Sequence, residues 1–218
     1  FGGTVNAKHV YLTGNGDDSL DWTYGWRGKV QFVAIQQYTS GGDNGFEADN
    51  YDKLNTALPT AQPTISNVTV VGSPNNSDSD IGMLLRAGTG GHISNAIVTG
   101  FNEACLDVTD EATFDEATAG VLTLQNSILS CATDFKKDET DPLDVEDWFL
   151  GQTGNSVEDP KLADAFNLAT PDLRPTGTSP ALDRGVAPAG SFFDAVDYIG
   201  GIDPDDDWTQ GWTTADTQ

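Results

Sequence analysis

Ile65-Ser66-Asn67-Val68-Thr69-Val70-Val71-Gly72 returns as Ile93-Ser94-Asn95-Ala96-Ile97-Val98-Thr99-Gly100, and again as Leu124-Gln125-Asn126-Ser127-Ile128-Leu129-Ser130. A phrase repeated in register marks a chain built from stacked units, each burying its apolar face on the next. Upstream, Ala7-Lys8-His9-Val10-Tyr11-Leu12-Thr13-Gly14 fits the pattern well, and Val30-Gln31-Phe32-Val33-Ala34-Ile35 fits it loosely. The copies are separated by roughly 23 to 35 residues, which suits repeat architectures with turns of variable length. A β-sandwich with turns at similar spacing has no reason to repeat a motif in register.

A second strand-like segment follows each copy. Asp18-Ser19-Leu20-Asp21-Trp22 lines up with Asn44-Gly45-Phe46-Glu47-Ala48, then with Ile81-Gly82-Met83-Leu84-Leu85 and Ala104-Cys105-Leu106-Asp107-Val108. Alternation along a strand places Leu20, Phe46, Met83 and Leu106 inside and Asp21, Glu47, Leu84 and Asp107 outside. The residue before each inward position is small (Ser19, Gly45, Gly82, Cys105), which suits a turn with unusual φ. Stacked strands lie ~4.8 Å apart, so Asn67, Asn95 and Asn126 form a candidate ladder in which each amide bonds the next coil. His9 and Phe32 occupy the same column in the earlier rows.

Residues 1–160 read as parallel β-helix coils, interrupted by excursions near 109–120 and 136–150. The second excursion contains Val145-Glu146-Asp147-Trp148-Phe149-Leu150, one helical turn packing its aromatics on the stack. Residues 161–218 read as a Pro-rich wrap and an aromatic, acidic C-terminal cap over the far end, where a stack would otherwise expose its apolar cross-section. The near end begins mid-coil and invites further coils, a stacking partner or a second copy.

The formal charge of −24, from 34 acidic and 10 basic residues, repels nucleic acid and anionic lipid. It also repels acidic glycans unless cations intervene. No apolar run of about 18 residues exists to span a membrane. Calcium ligation, a surface adapted to saline water and plain solubility each account for the acidity.

The strand-turn-strand order, the I-S-N phrase and the tail Leu173-Arg174-Pro175-Thr176-Gly177-Thr178-Ser179-Pro180-Ala181-Leu182-Asp183-Arg184-Gly185 resemble secreted pectin-lyase-like β-helix proteins of bacteria. The resemblance covers roughly residues 4–200. It implies an all-β fold, a right-handed parallel β-helix (solenoid), in a secreted or cell-surface protein. It does not choose an activity, because that superfamily holds lyases, hydrolases, adhesins and proteins of no known role.

Asn15-Gly16-Asp17-Asp18-Ser19 resembles the G-D-D-C element of polygalacturonase-like hydrolases, in which paired aspartates act as acid and base. Asp17, Asp18 and Asp21 are therefore the catalytic candidates. The companion N-T-D and R-I-K motifs are missing, and Gly91-His92-Ile93 lacks the glycine of G-H-G. Asp17, Asp18, Asp43 and Asn44 offer hard oxygens in equivalent turns of adjacent coils and are the candidate calcium ligands, although solvated turns explain them too. Trp208 and Trp212 read as part of the cap and, alternatively, as platforms for a sugar ring. Cys105 and Cys131 lie about one coil apart, and whether they bond depends on the path of the turn between them.

The leading expectation is a non-catalytic extracellular protein acting in adhesion, polysaccharide contact or structural assembly, stabilised by calcium. The alternative is a polysaccharide hydrolase or lyase, or the C-terminal fragment of one.

Overall fold

The computed structural model describes residues 2–213. Among these, two parallel sheets carry most of the strands. The larger has the order β1 (Ala7–Thr13), β3 (Lys29–Gln36), β5 (Thr64–Val71), β7 (Gly91–Thr99), β10 (Ile128–Ser130), β11 (Ser156–Val157), with β9 (Leu122–Gln125) also pairing β7. The smaller has the order β2 (Leu20–Trp22), β4 (Phe46–Ala48), β6 (Ile81–Leu85), β8 (Ala104–Val108). From β1 to β8 the chain passes alternately from one sheet to the other. Parallel pairing throughout both sheets rules out an antiparallel sandwich.

The register follows the repeated phrase. Val30, Ile65 and Ile93 are Cα partners, as are Ile35, Val70 and Val98. One column breaks the pairing: His9, Phe32, Asn67, Asn95 and Asn126 all have φ between 48° and 62°. A single left-handed residue bends each long strand, so its two halves face different directions. Asparagine tolerates that conformation better than most residues. His9 and Phe32 hold it by stacking on one another, ring centroids 4.9 Å apart.

Asn67 and Asn95 do not bond one another as a ladder; each bonds a different residue of the preceding strand and the C-terminal segment. Asn67 Nδ2 donates to the Tyr198 carbonyl, while its Oδ1 accepts from Gln31 Nε2. Asn95 donates to Val186 O and to Ser66 Oγ and accepts from Val186 N. Bending the strand turns these amides outward, where the C-terminal segment offers unpaired backbone.

In the small sheet Leu20, Phe46, Met83 and Leu106 form one column and Asp21, Glu47, Leu84 and Asp107 the next. The first joins Val33, Val68 and Val98 of the large sheet in one apolar cluster. Gly45 and Gly82 are small because space is short, not because φ is unusual. A Cβ on Gly82 would lie 2.2 Å from Val98 Cγ1, and one on Gly45 2.4 Å from Val70 Cγ1. Cys105, in the same row, is disulfide-bonded to Cys131 with Cα atoms 5.6 Å apart.

The excursions hold α1 (Glu111–Thr118) and α2 (Val145–Leu150). Asp144 caps α2 through the Asp147 N–H, and fully buried Phe149 packs on Phe135 at 5.6 Å. It is therefore α2, with Val145 and Phe149 in the core cluster, that covers the apolar interior beyond the last strands.

The C-terminal segment runs elsewhere. After the hairpin of β12 (Leu162–Asp164) and β13 (Asp172–Pro175), it lies across the outside of the large sheet. Ile199 and Ala181 cover Ile97 and Ile128, and Ile202 and Leu173 cover Ala34 and Val71. Trp208 reaches His9 on β1, the first strand, at 5.2 Å. The expectation that Trp208 and Trp212 close the far end is thus corrected. Ala34, Val71, Ile97 and Ile128 in the second halves of their strands need apolar cover, and the wrap supplies it. Beside β1 and β2 an apolar cavity of about 310 Å³ opens, lined by residues including Val10, Leu20, Trp22 and Trp26.

Candidate functional site on the four-stranded sheet

The outer column of the small sheet runs Asp21, Glu47, Leu84, Asp107 from β2 to β8. Residues at successive positions sit ~4.8 Å apart, so their side chains form a continuous strip. Two residues beyond Leu84, Arg86 reaches back across the strip. Its Nε donates to Asp49 Oδ1 at 2.9 Å, and its Nη2 pairs with Glu47 Oε1. At the other end Lys136 Nζ lies 2.9 Å from Glu103 and 3.6 Å from Asp107. A cleft of about 380 Å³ opens between these groups, lined by Leu84, Arg86, Asp107, Thr109, Lys136 and Asp138, among others.

Carboxylates outnumber cations in the strip, and burial weakens their solvation. Glu47 is pushed up to about 8 by its burial, by a hydrogen bond to Asp18 and by that residue's charge. Arg86 opposes this, but its single charge is divided between Glu47 and Asp49. Asp21 is raised by burial and by Asp18 and Asp49. Asp107 is raised by burial, against the pull of Lys136. A carboxylic acid that keeps its proton near neutrality can donate a hydrogen bond, and ionised neighbours can accept one.

The aspartates singled out in the turns lie at the β2–β4 edge of this strip. Carboxylate oxygens of Asp17, Asp18 and Asp43 fall within 4.8 Å of one another. Asn44 holds this group in place: its backbone N–H and Nδ2 both donate to Asp18 Oδ1, at 3.0 and 2.7 Å. Asp21 stands on the strip itself, across from Glu47. His92 is remote from these residues; it sits on β7 with its Nδ1 3.0 Å from Thr123 Oγ1. Trp208 is half-buried against the large sheet and donates to Gly201 O. Trp212 stacks on it at 6.0 Å and is 60% exposed. Neither tryptophan adjoins the strip.

Glu47, Arg86 and Lys136 carry the strip, and none of them belongs to a sequence motif that marks a site. Glu47 was legible as an outward residue by alternation alone. Arg86 and Lys136 come from positions whose partners are distant in sequence, so no local signal pointed to them.

A family model described as the pectate-lyase-like beta helix domain matches residues 1–213. The chain belongs to the pectate-lyase-like β-helix family. No curated protein and no solved structure matched the chain. The two parallel sheets, entered alternately by the chain, are consistent with that family. Among the described residues no helix is long and apolar enough to cross a membrane.

Proposed function

We propose that this protein is an extracellular polysaccharide-binding β-helix whose working surface is the outer face of the β2-β4-β6-β8 sheet. The sheets are read as walls of one right-handed solenoid, since parallel strands joined by crossovers take that hand almost without exception. The observation that carries the proposal is the charged strip beside its 380 Å³ cleft, where Glu47, Arg86, Asp107 and Lys136 present donors and acceptors around the apolar side of Leu84. Sugar hydroxyls both donate and accept, and a mixed-charge strip serves both roles. With a net charge of −24, the expected partner is a neutral glycan and not a polyuronate.

Affinity electrophoresis against soluble neutral glycans and polyuronates tests the reading. The parent is expected to be retarded by a neutral glycan, and the Glu47→Gln/Lys136→Ala variant to lose affinity at least ~10-fold, through one or two charge-assisted hydrogen bonds. Equal retardation of both proteins, or none of the parent, would overturn it.

A second reading, polysaccharide hydrolysis, is favoured by one geometric observation. Asp21 and Glu47 are Cα partners on adjacent strands, so two carboxyl groups stand side by side on one face, the pairing of acid and nucleophile or base that glycoside hydrolysis uses. Under it, incubating the parent with glycan releases new reducing ends, and Glu47→Gln and Asp21→Asn each lower the rate at least ~1,000-fold. Glycan binding without release of reducing ends leaves the binding reading alone.

A further inference from the structure

We propose that the two stacked turns preceding β2 and β4 form a calcium site, with carboxylates from Asp17, Asp18 and Asp43 and the carboxamide oxygen of Gln37 as protein ligands. Three carboxylate oxygens within 4.8 Å of one another match the span of oxygens that surround calcium at ~2.3–2.6 Å. An acidic cluster by itself is common on so acidic a chain, and what separates this one is a buried amide oxygen without a donor, on a side chain bonded to Asp43.

Gln37 is 2% exposed, and its Oε1 is buried with no donor. Its amide head is fixed at the cluster, because Nε2 donates to the Asp43 carbonyl at 3.1 Å. The head packs so closely on the turn that a Cβ on Gly42 would lie 3.5 Å from Oε1. Five buried side-chain polar atoms lack a partner among the described residues, and four of them lie in these turns or at the strand ends that lead into them: Thr13 Oγ1, Asn15 Oδ1, Ser19 Oγ and Gln37 Oε1. Each leaves an oxygen lone pair unsatisfied, at a cost of about 1–3 kcal/mol apiece in the absence of a ligand or water. A cation answers both deficits at once, since it accepts lone pairs and offsets the mutual repulsion of the carboxylates. Asn44 orients the Asp18 carboxylate and acts as a positioning residue.

The site adjoins the glycan strip but does not depend on it, and the two are measured separately. Calcium chloride titrated calorimetrically into chelator-stripped protein is expected to show one site with a dissociation constant on the order of 0.1 mM. Melting temperature in 10 mM calcium chloride should then rise by roughly 5 °C over sodium chloride of equal ionic strength. Asp17→Asn/Asp43→Asn should melt at or above the parent in chelator, because it relieves repulsion, and show no calcium response. Gln37→Leu should weaken the response at least ~10-fold. The proposal is overturned if sodium chloride matches calcium, which would mark simple screening. An equal response to magnesium overturns the choice of calcium. A full calcium response in the Asp17/Asp43 variant overturns the location.

Discussion

Asn67 carries three tasks at one buried position. It takes the left-handed bend of β5, donates to Tyr198 O and accepts from Gln31. Replacing it by alanine loses the hydrogen bonds and puts a Cβ residue without a local polar partner in left-handed space. Asn67→Ala is therefore expected to lower unfolding free energy by about 2–4 kcal/mol. Asn67→Gly, which keeps the backbone freedom, should cost about 1 kcal/mol less than the alanine variant. Denaturant midpoints of the two variants check both the size and the order. Sequence showed this column as a column, because asparagine recurs in register at Asn67, Asn95 and Asn126. It could not show the partners, since an amide's direction depends on the bend and on a segment more than ninety residues away. The same limit applies to Gly82. Its smallness was plain, but the reason, a Val98 methyl 2.2 Å from where a Cβ would sit, exists only once the sheets face each other.

At the level of elements, strand existence and alternation were readable and helix placement nearly so. Leu20, Phe46, Met83 and Leu106 fall in one paired column, as period-two alternation requires. The role of α2 was half legible: its aromatics signalled packing, while its position over the end of the core did not follow from local pattern. Phe149→Ala should cost about 3–5 kcal/mol by emptying that end, checked by the same denaturant titration. β8 supplies a pH-dependent test. Burial raises Asp107 above the ordinary carboxylate range, so the folded chain binds this proton more tightly than the unfolded chain does. Its ionisation thus costs stability as pH rises from the ordinary range through the raised value, and none of that cost remains below both. Asp107→Asn removes the titration. The variant is expected to show a shallower fall in melting temperature across acidic to neutral pH and to compare best with the parent at the high end. A variant penalised more at pH 8 than at pH 4 would contradict this assignment, and would mean that the Lys136 pair outweighs burial.

For the whole molecule, the wrap decides how the parts hold together. A segment rich in proline and glycine has little regular structure of its own, and here it borrows structure from the sheets. Gly200 N donates to Asn95 O, Gly201 N to Thr69 Oγ1, and Asp194 N to Gln31 Oε1. In return, Ile199 and Ile202 bury the outer methyls of Ile97 and Ala34. Each side leaves the other with exposed apolar surface or unpaired backbone if it departs, so partial detachment gains chain entropy at the expense of both terms. The wrap and the sheets should consequently open together. Native-state hydrogen exchange is expected to give the Ile199, Gly200 and Gly201 amides opening free energies within about 1 kcal/mol of those in the centres of β5 and β7. Protection several kcal/mol lower across 199–201 would instead make the wrap a separate unit that lies on a stack already stable without it. Asn95→Gly sharpens the distinction, because it removes the side-chain bonds to Val186, and one to Ser66, while keeping the left-handed bend of β7. If folding is one transition, the glycine variant lowers protection in β5 and in the wrap by the same amount; if the wrap opens alone, the loss is concentrated in residues beyond Val186.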